Sequence, residues 1–182
     1  MSVARVYTTK KSRKVWTCGK CGTELPVGSA VLSFAVGFRG YEQKRCTEPK
    51  CYPQPSERES SAVASVYAAQ EAVDLSSCTS LDELEDAVQE VIEACNEVAE
   101  EYESNEMYDI NEDLQERADT LHSAADELES WSSSLEEEPT EDDERDDDEE
   151  GDETEDFESA HDAWLEEARD AAQQAIDGME LP

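Results

Sequence analysis

Apolar residues recur from Leu84 to Tyr102 at Leu84, Val88, Val91, Cys95, Val98 and Tyr102, at intervals of four, three, four, three and four. That spacing lays one seam along an α-helix. Ser80 and Glu83 in "SLDE" stand ahead of it as a capping box, in which each side chain satisfies a main-chain N–H that the first helical turn leaves without a partner. A second seam, Leu114, Ala118, Leu121, Ala125, Leu128 and Leu135 with Trp131 beside it, follows the polar stretch "SNEMYDIN". Two long amphipathic segments joined by so short a connection predict an antiparallel helical hairpin. Another capping box, Ser56 with Glu59 in "SERE", predicts a helix to about Val73, so residues 56–135 read as a helical region. Phe157, Ala160, Trp164, Ala168, Ala171 and Ala175, with Gly178 as a stop, predict a C-terminal amphipathic helix within residues 157–182. Its apolar face must be covered by the hairpin or by another protein.

The pattern ahead of residue 56 is different. "ELPVGSA" places Pro26 and Gly28 at turn spacing, "AVLSFAVGF" is β-prone, and "YEQKRC" returns after Arg39 and Gly40. Residues 15–55 therefore read as a small module built on a β-hairpin with its tip near Arg39–Gly40. Residues 1–14 are basic and aperiodic and are expected to form a flexible arm. Residues 136–156 hold sixteen acids among twenty-one positions and read as a disordered acidic linker.

Charge sharpens this division. Residues 1–50 carry ten Lys and Arg against three Glu, a balance of +7, so the total of -35 leaves -42 on the remainder. The acidic excess runs through the helical segments as well as the linker. Acid-rich, lysine-poor helices of this kind fit a halophilic interior, where molar KCl shortens the Debye length to about 3 Å and screens their self-repulsion. No apolar run approaches the roughly 20 residues that span a bilayer, and the first residues lack the apolar core of a signal peptide. The expected location is cytoplasmic, with no membrane partner.

The cysteines change the picture most. Cys18 and Cys21 in "TCGKCGTEL" are followed, after twenty-four residues, by Cys46 and Cys51 in "RCTEPKCYP". Two cysteine pairs flanking a hairpin suit one tetrahedral Zn²⁺, since the ion takes four thiolates without a competing geometric preference. The resulting fold class is a small zinc-bound β-hairpin module, ribbon-like or treble-clef-like, followed by a mainly α region. A redox C-x-x-C would sit between a strand and a helix, and this one precedes a hairpin. Cys95 reads as a small core residue on the helical seam, and Cys78 has no evident role. His122 and His161 lie in helical stretches and read as surface or boundary residues.

The lead-in "KKSRKVWTCGKCGTEL", the turn "PVG", the hairpin ending "YEQKRC" and the sequel "YPQPSERESS" together resemble the small zinc-finger proteins of tailed phages and haloarchaeal viruses. That family is often labelled as similar to the poly(ADP-ribose) polymerase zinc finger. The likeness covers residues 10 to about 130 and implies metal ligands at Cys18, Cys21, Cys46 and Cys51. The polymerase finger has a histidine in its second pair where this chain has cysteine, so recognition of DNA breaks does not carry over. A viral origin would place the protein in host cytoplasm or on a virion.

Two functions follow from these residues. Lys10, Lys11, Arg13, Lys14, Lys20, Arg39, Lys44 and Arg45, interleaved with Trp16, Phe34, Phe38 and Tyr41, compose a nucleic-acid-binding surface of bases and stacking rings. Against it stands the salt sensitivity of phosphate contacts. The alternative is a zinc-stabilised adaptor that binds protein through the helical hairpin or the C-terminal helix. No nucleophile–base constellation or phosphate-cradling glycine loop is present, and a four-thiolate zinc has no open position, so no enzyme is expected.

Overall fold

A computed structural model describes residues 5–9, 12–36, 42–59, 61–139 and 153–182. The chain divides into two compact units, Met1–Glu71 with Pro182, and Ala72–Leu181.

The first unit is built on two small antiparallel sheets. β1 (Tyr7–Thr9), β4 (Val31–Ala35) and β5 (Glu42–Arg45) form one, with β4 in the middle, and β2 (Trp16–Thr17) pairs with β3 (Glu24–Leu25) in the other. Val31, Leu32, Ser33 and Phe34 of β4 are all buried, so this strand is covered on both faces and its sequence runs apolar instead of alternating. The expected hairpin is present as the β4–β5 pair, in register from Leu32 opposite Arg45 to Ala35 opposite Glu42. Its tip, with Arg39 and Gly40, lies outside the described residues.

Two expectations for this unit need correction. The stretch expected to be a flexible arm contains β1, which pairs Tyr7 with Ser33 and Thr9 with Val31. Just beyond it, Ser12 donates its N–H to the Ser29 carbonyl at 3.2 Å and accepts from the Gly28 N–H at 2.8 Å. A three-residue strand has too little periodicity to read from sequence, and it exists because β4 offers it a free edge. The helix expected from Ser56 is instead two pieces, α1 (Pro55–Arg58) and α2 (Ala64–Ala72). The operative box lies two residues earlier, where Glu57 accepts the Gln54 N–H at 2.8 Å. Glu59, the expected box acid, is extended at φ -85° and ψ 141° and ends the first turn. Its carboxylate accepts the Ser61 N–H, a local competition with helix that breaks the run.

The second unit is helical. α3 (Leu81–Glu103) and α4 (Glu112–Glu129) are joined through a short 3-10 turn, Tyr108–Ile110. Asn96 lies beside His122 and Tyr102 beside Arg117, so positions fall along α3 as they rise along α4 and the pair is antiparallel. Ser80 Oγ accepts the Glu83 N–H as expected, while Glu83 reaches back one residue further than a capping box, to the Thr79 N–H. α5 (Glu153–Gly178) packs on α3 and on the 3-10 turns Leu75–Ser77 and Trp131–Ser134. Of the two coverings the sequence left open for α5, the fold uses the hairpin of the same chain.

That third helix explains why the buried stripe is wider than the expected seam. Ile92 and Ala99 are buried beside Val91 and Val98, and Ala124 beside Ala125. A two-helix coiled coil buries two positions in seven, whereas a helix with two neighbours buries three or four. The α5 face is also rotated from the expected one. Trp164, Leu165, Ala168, Ala172 and Ile176 are buried, while Phe157, Ala160, Ala171 and Ala175 are only half-buried. Turning Leu165 and Ile176 inward removes more apolar surface than turning in the alanines they displace. The expected linker is shorter at both ends, since α5 begins at Glu153 and the Glu136 carbonyl accepts the Trp164 Nε1–H at 3.0 Å. Residues 140–152 lie outside the described residues.

Candidate metal centre

Two tight turns bring the four cysteines together. The first follows β2, where the Gly22 N–H returns to the Cys18 carbonyl at 3.0 Å and the Cys18 N–H donates to Thr23 at 2.9 Å. Gly22 sits at φ +73°, a left-handed conformation that glycine adopts without steric cost. The second turn follows β5, where Pro49–Cys51 forms a 3-10 turn and the Cys51 N–H donates to the Glu48 carbonyl at 2.8 Å. This turn takes up the four residues between Cys46 and Cys51 that made the spacing wider than the commonest one. The Gly19 N–H donates to the Lys44 carbonyl at 3.1 Å and ties the first turn to the strand that delivers Cys46.

The Sγ atoms of Cys18, Cys21, Cys46 and Cys51 all lie within 4.8 Å of one another, close enough to hold one metal ion. Cys21 and Cys46 approach to 3.8 Å. A tetrahedral ion bound at about 2.3 Å to each sulfur requires sulfur separations of roughly 3.8 Å, so the residues present fit the group. Around the sulfurs, Cys18, Leu25, Val31, Cys46 and Cys51 compose a buried apolar cluster, with Trp16 packed on its side.

The sulfurs differ in their readiness to ionise. Burial works against the Cys18 thiolate, but the N–H groups of Cys21, Cys46 and Lys20 and the Cys21 thiol outweigh it and take Cys18 down to about 6. Cys21 is lowered as well, by the Thr23 hydroxyl at 3.2 Å and by the Thr23 N–H. Cys46 is raised. The Glu48 main chain favours its thiolate, but burial and the neighbouring Cys18 and Cys21 sulfurs prevail. Burial, then the sulfurs of Cys46, Cys21 and Cys18, push Cys51 up to about 12. Four sulfurs that cannot all be negative alone are a suitable donor set for a divalent cation, which supplies the missing charge.

The basic residues named from the sequence fall into three groups. Arg13, Lys14 and Lys20 are exposed. Lys10, Lys11 and Arg39 lie outside the described residues. Lys44 and Arg45 are turned to structural use. Lys44 pairs with Glu42 and stands 5.3 Å from the Trp16 ring centre. Arg45 is only 7% exposed, donates through both terminal nitrogens to Glu57 at 2.8 Å, and lies 5.1 Å from the Phe34 ring centre. Glu57 is held at about 2, first by Arg45, against the cost of burial, and then by the Gln54 N–H. Neither Arg45 nor the buried Phe34 offers a surface to a nucleic acid, which corrects their place in the expected set. Phe38 and Tyr41 lie outside the described residues.

Sequence reasoning missed Glu57 and Thr23. Thr23 follows Cys21 by two residues, a spacing that signals a hydroxyl near the sulfur, and Glu57 follows Gln54 at capping-box spacing. The histidines are where they were expected. His122 bridges Asn96 and Glu103, and His161 pairs with Glu138. Among the described residues, no helix is long and apolar enough to cross a membrane.

No family model, curated protein or solved structure matches the chain. The four-cysteine cluster therefore carries the functional reading by its own geometry.

Proposed function

We propose that Cys18, Cys21, Cys46 and Cys51 bind one structural Zn²⁺, and that the module it stabilises binds nucleic acid in a regulatory role. The observation that carries the first half is the mutual approach of four sulfurs within 4.8 Å. Four protein ligands leave zinc no open position, so its role is to hold the fold and not to activate water. Arg45, with Lys20 near Glu57, places positive charge beside a centre that carries two net negative charges when loaded.

The second half rests on a smaller surface than the sequence suggested. Arg13 and Lys14 remain exposed, and Ser12, buried beneath them, cross-ties that segment to Gly28 and Ser29. Val15, which follows Lys14, and Val27, which precedes Gly28, lie just outside the β2–β3 pair and are exposed as well. Bases held on a fixed backbone can meet phosphates, with the valines against sugar or base edges. The adaptor reading loses the two apolar faces it relied on, because α3, α4 and α5 bury them in one another. What favours it still is the α3–α4 turn, where Met107 and Ile110 are exposed.

Metal analysis of the purified full chain should give one zinc per chain, and chelation should abolish the tertiary signal of Trp16. A metal-free chain with that signal intact would remove the zinc reading. Binding to DNA at roughly 50 mM salt, where phosphate contacts are strong, should weaken at least about fivefold in the Arg13→Ala, Lys14→Ala double variant, from two lost phosphate contacts. The zinc content should not change. An unchanged affinity, or none to begin with, would leave the adaptor.

A further inference from the structure

Three of the four clustered sulfurs are shut in and one is open. Cys18, Cys46 and Cys51 are at most 7% exposed, whereas Cys21 faces solvent. Cys78 and Cys95 are buried as well. A small oxidant reaching the protein therefore meets Cys21 before any other thiol. All three other sulfurs lie within 4.8 Å, and that of Cys46 comes to 3.8 Å, within contact distance. Closing such a gap to a bond of about 2.05 Å needs less than 2 Å of movement, spread over two side chains.

We propose that Cys21 is an oxidation site for hydrogen peroxide, and that its oxidation closes a Cys21–Cys46 disulfide and releases the metal. This rests on the reading that the four cysteines hold zinc. The Cys21 sulfur attacks one peroxide oxygen and the O–O bond breaks, giving a sulfenic acid and hydroxide, so that sulfur is oxidised and peroxide reduced. The Cys46 sulfur then attacks the Cys21 sulfur and expels the second hydroxide. Two thiolates, one peroxide and two protons become one disulfide and two waters. Cys18 and Cys51 remain, too few to hold a tetrahedral ion. The turn after β2 is then joined covalently to the end of β5 at Cys46, while the Pro49–Cys51 turn loses the metal that tied it to both. A thiol reductant reopens the disulfide and lets zinc return.

The zinc-loaded full chain, its metal content first measured, is treated with hydrogen peroxide in the presence of a chromogenic zinc chelator. The products are mapped as peptides without reduction. The expected result is release of the bound zinc in step with a Cys21–Cys46 disulfide, reversed by dithiothreitol and added zinc. Retention of zinc under peroxide, or a predominant Cys18–Cys21 or Cys46–Cys51 disulfide, would overturn the inference while leaving the metal reading intact. A chain that never holds metal would overturn both. Because Cys21→Ser alters a ligand and can lose zinc outright, a second measurement uses the unaltered chain. A brief iodoacetamide pulse on the zinc-loaded protein should label Cys21 at least about tenfold faster than any other cysteine, following its exposure to solvent. Equal labelling of Cys18, Cys46 or Cys51 would count against Cys21 as the point of entry.

Discussion

Glu57 illustrates how much one side chain can carry in so small a unit. It closes α1 by accepting the Gln54 N–H, and it holds Arg45 in a two-pronged pair beside the sulfur cluster. Glu57→Gln leaves a buried guanidinium without its counter-charge. Since the carboxylate is a third exposed, the loss is smaller than for a fully buried pair, about 1–2 kcal/mol, read by denaturant unfolding of the zinc-loaded chain at pH 7. The pH dependence follows from its direction. Glu57 is lowered from an ordinary 4.5 to about 2 in the fold. Its contribution is therefore present in full above about 4.5 and lost as pH falls toward 2, so the gap between parent and variant should close over that window. The cap had a signal in the capping-box spacing of Gln54 and Glu57, but the pair with Arg45 had none, since Arg45 read as one base among eight. The cysteine spacing, by contrast, pointed to the cluster directly, because two pairs flanking a hairpin bring four sulfurs to one place.

The elements divide the same way. α3 and α4 were legible because their seams are long and their caps local. Pairing of β1 with β4 was not, since Tyr7–Thr9 becomes a strand only once a distant edge is available. The buried face of α5 differs by about one residue from the periodic one, because alanines repeat on several of its sides and only packing decides among them. Trp164 is the residue that fixes that packing. It is 8% exposed, and its indole N–H is given to the Glu136 carbonyl. Trp164→Ala should destabilise the helical unit by about 3–5 kcal/mol, measured by urea unfolding followed by circular dichroism. Trp164→Phe keeps most of the buried area and should cost only about 1–2 kcal/mol, the lost hydrogen bond and some packing.

On the scale of the whole molecule, the excess of negative charge adds a repulsion that opposes the helical unit. Glu and Asp cover α3, α4 and α5, with Arg117 and Arg169 as the basic residues of those helices. The helical unit should melt at a temperature that rises from dilute buffer to molar KCl, as screening removes repulsion among its like charges. A flat or falling trend would argue against a high-salt interior. The two units differ in what opposes them. Salt should favour the helices and the proposed zinc the sheets, so chelator and dilution are expected to unfold different parts of one chain. Arg169 donates twice to the Cys78 carbonyl, across ninety-one residues of sequence. A contact that closes so long a loop is entropically late. The α3–α4 hairpin, whose contacts are local, can form while α5 is still being synthesised, and docking of α5 then completes the unit. Until that moment the apolar surface of the hairpin that α5 covers is open to the crowded cell. The interval between hairpin and docking is the period in which the nascent chain is open to aggregation or to chaperone capture.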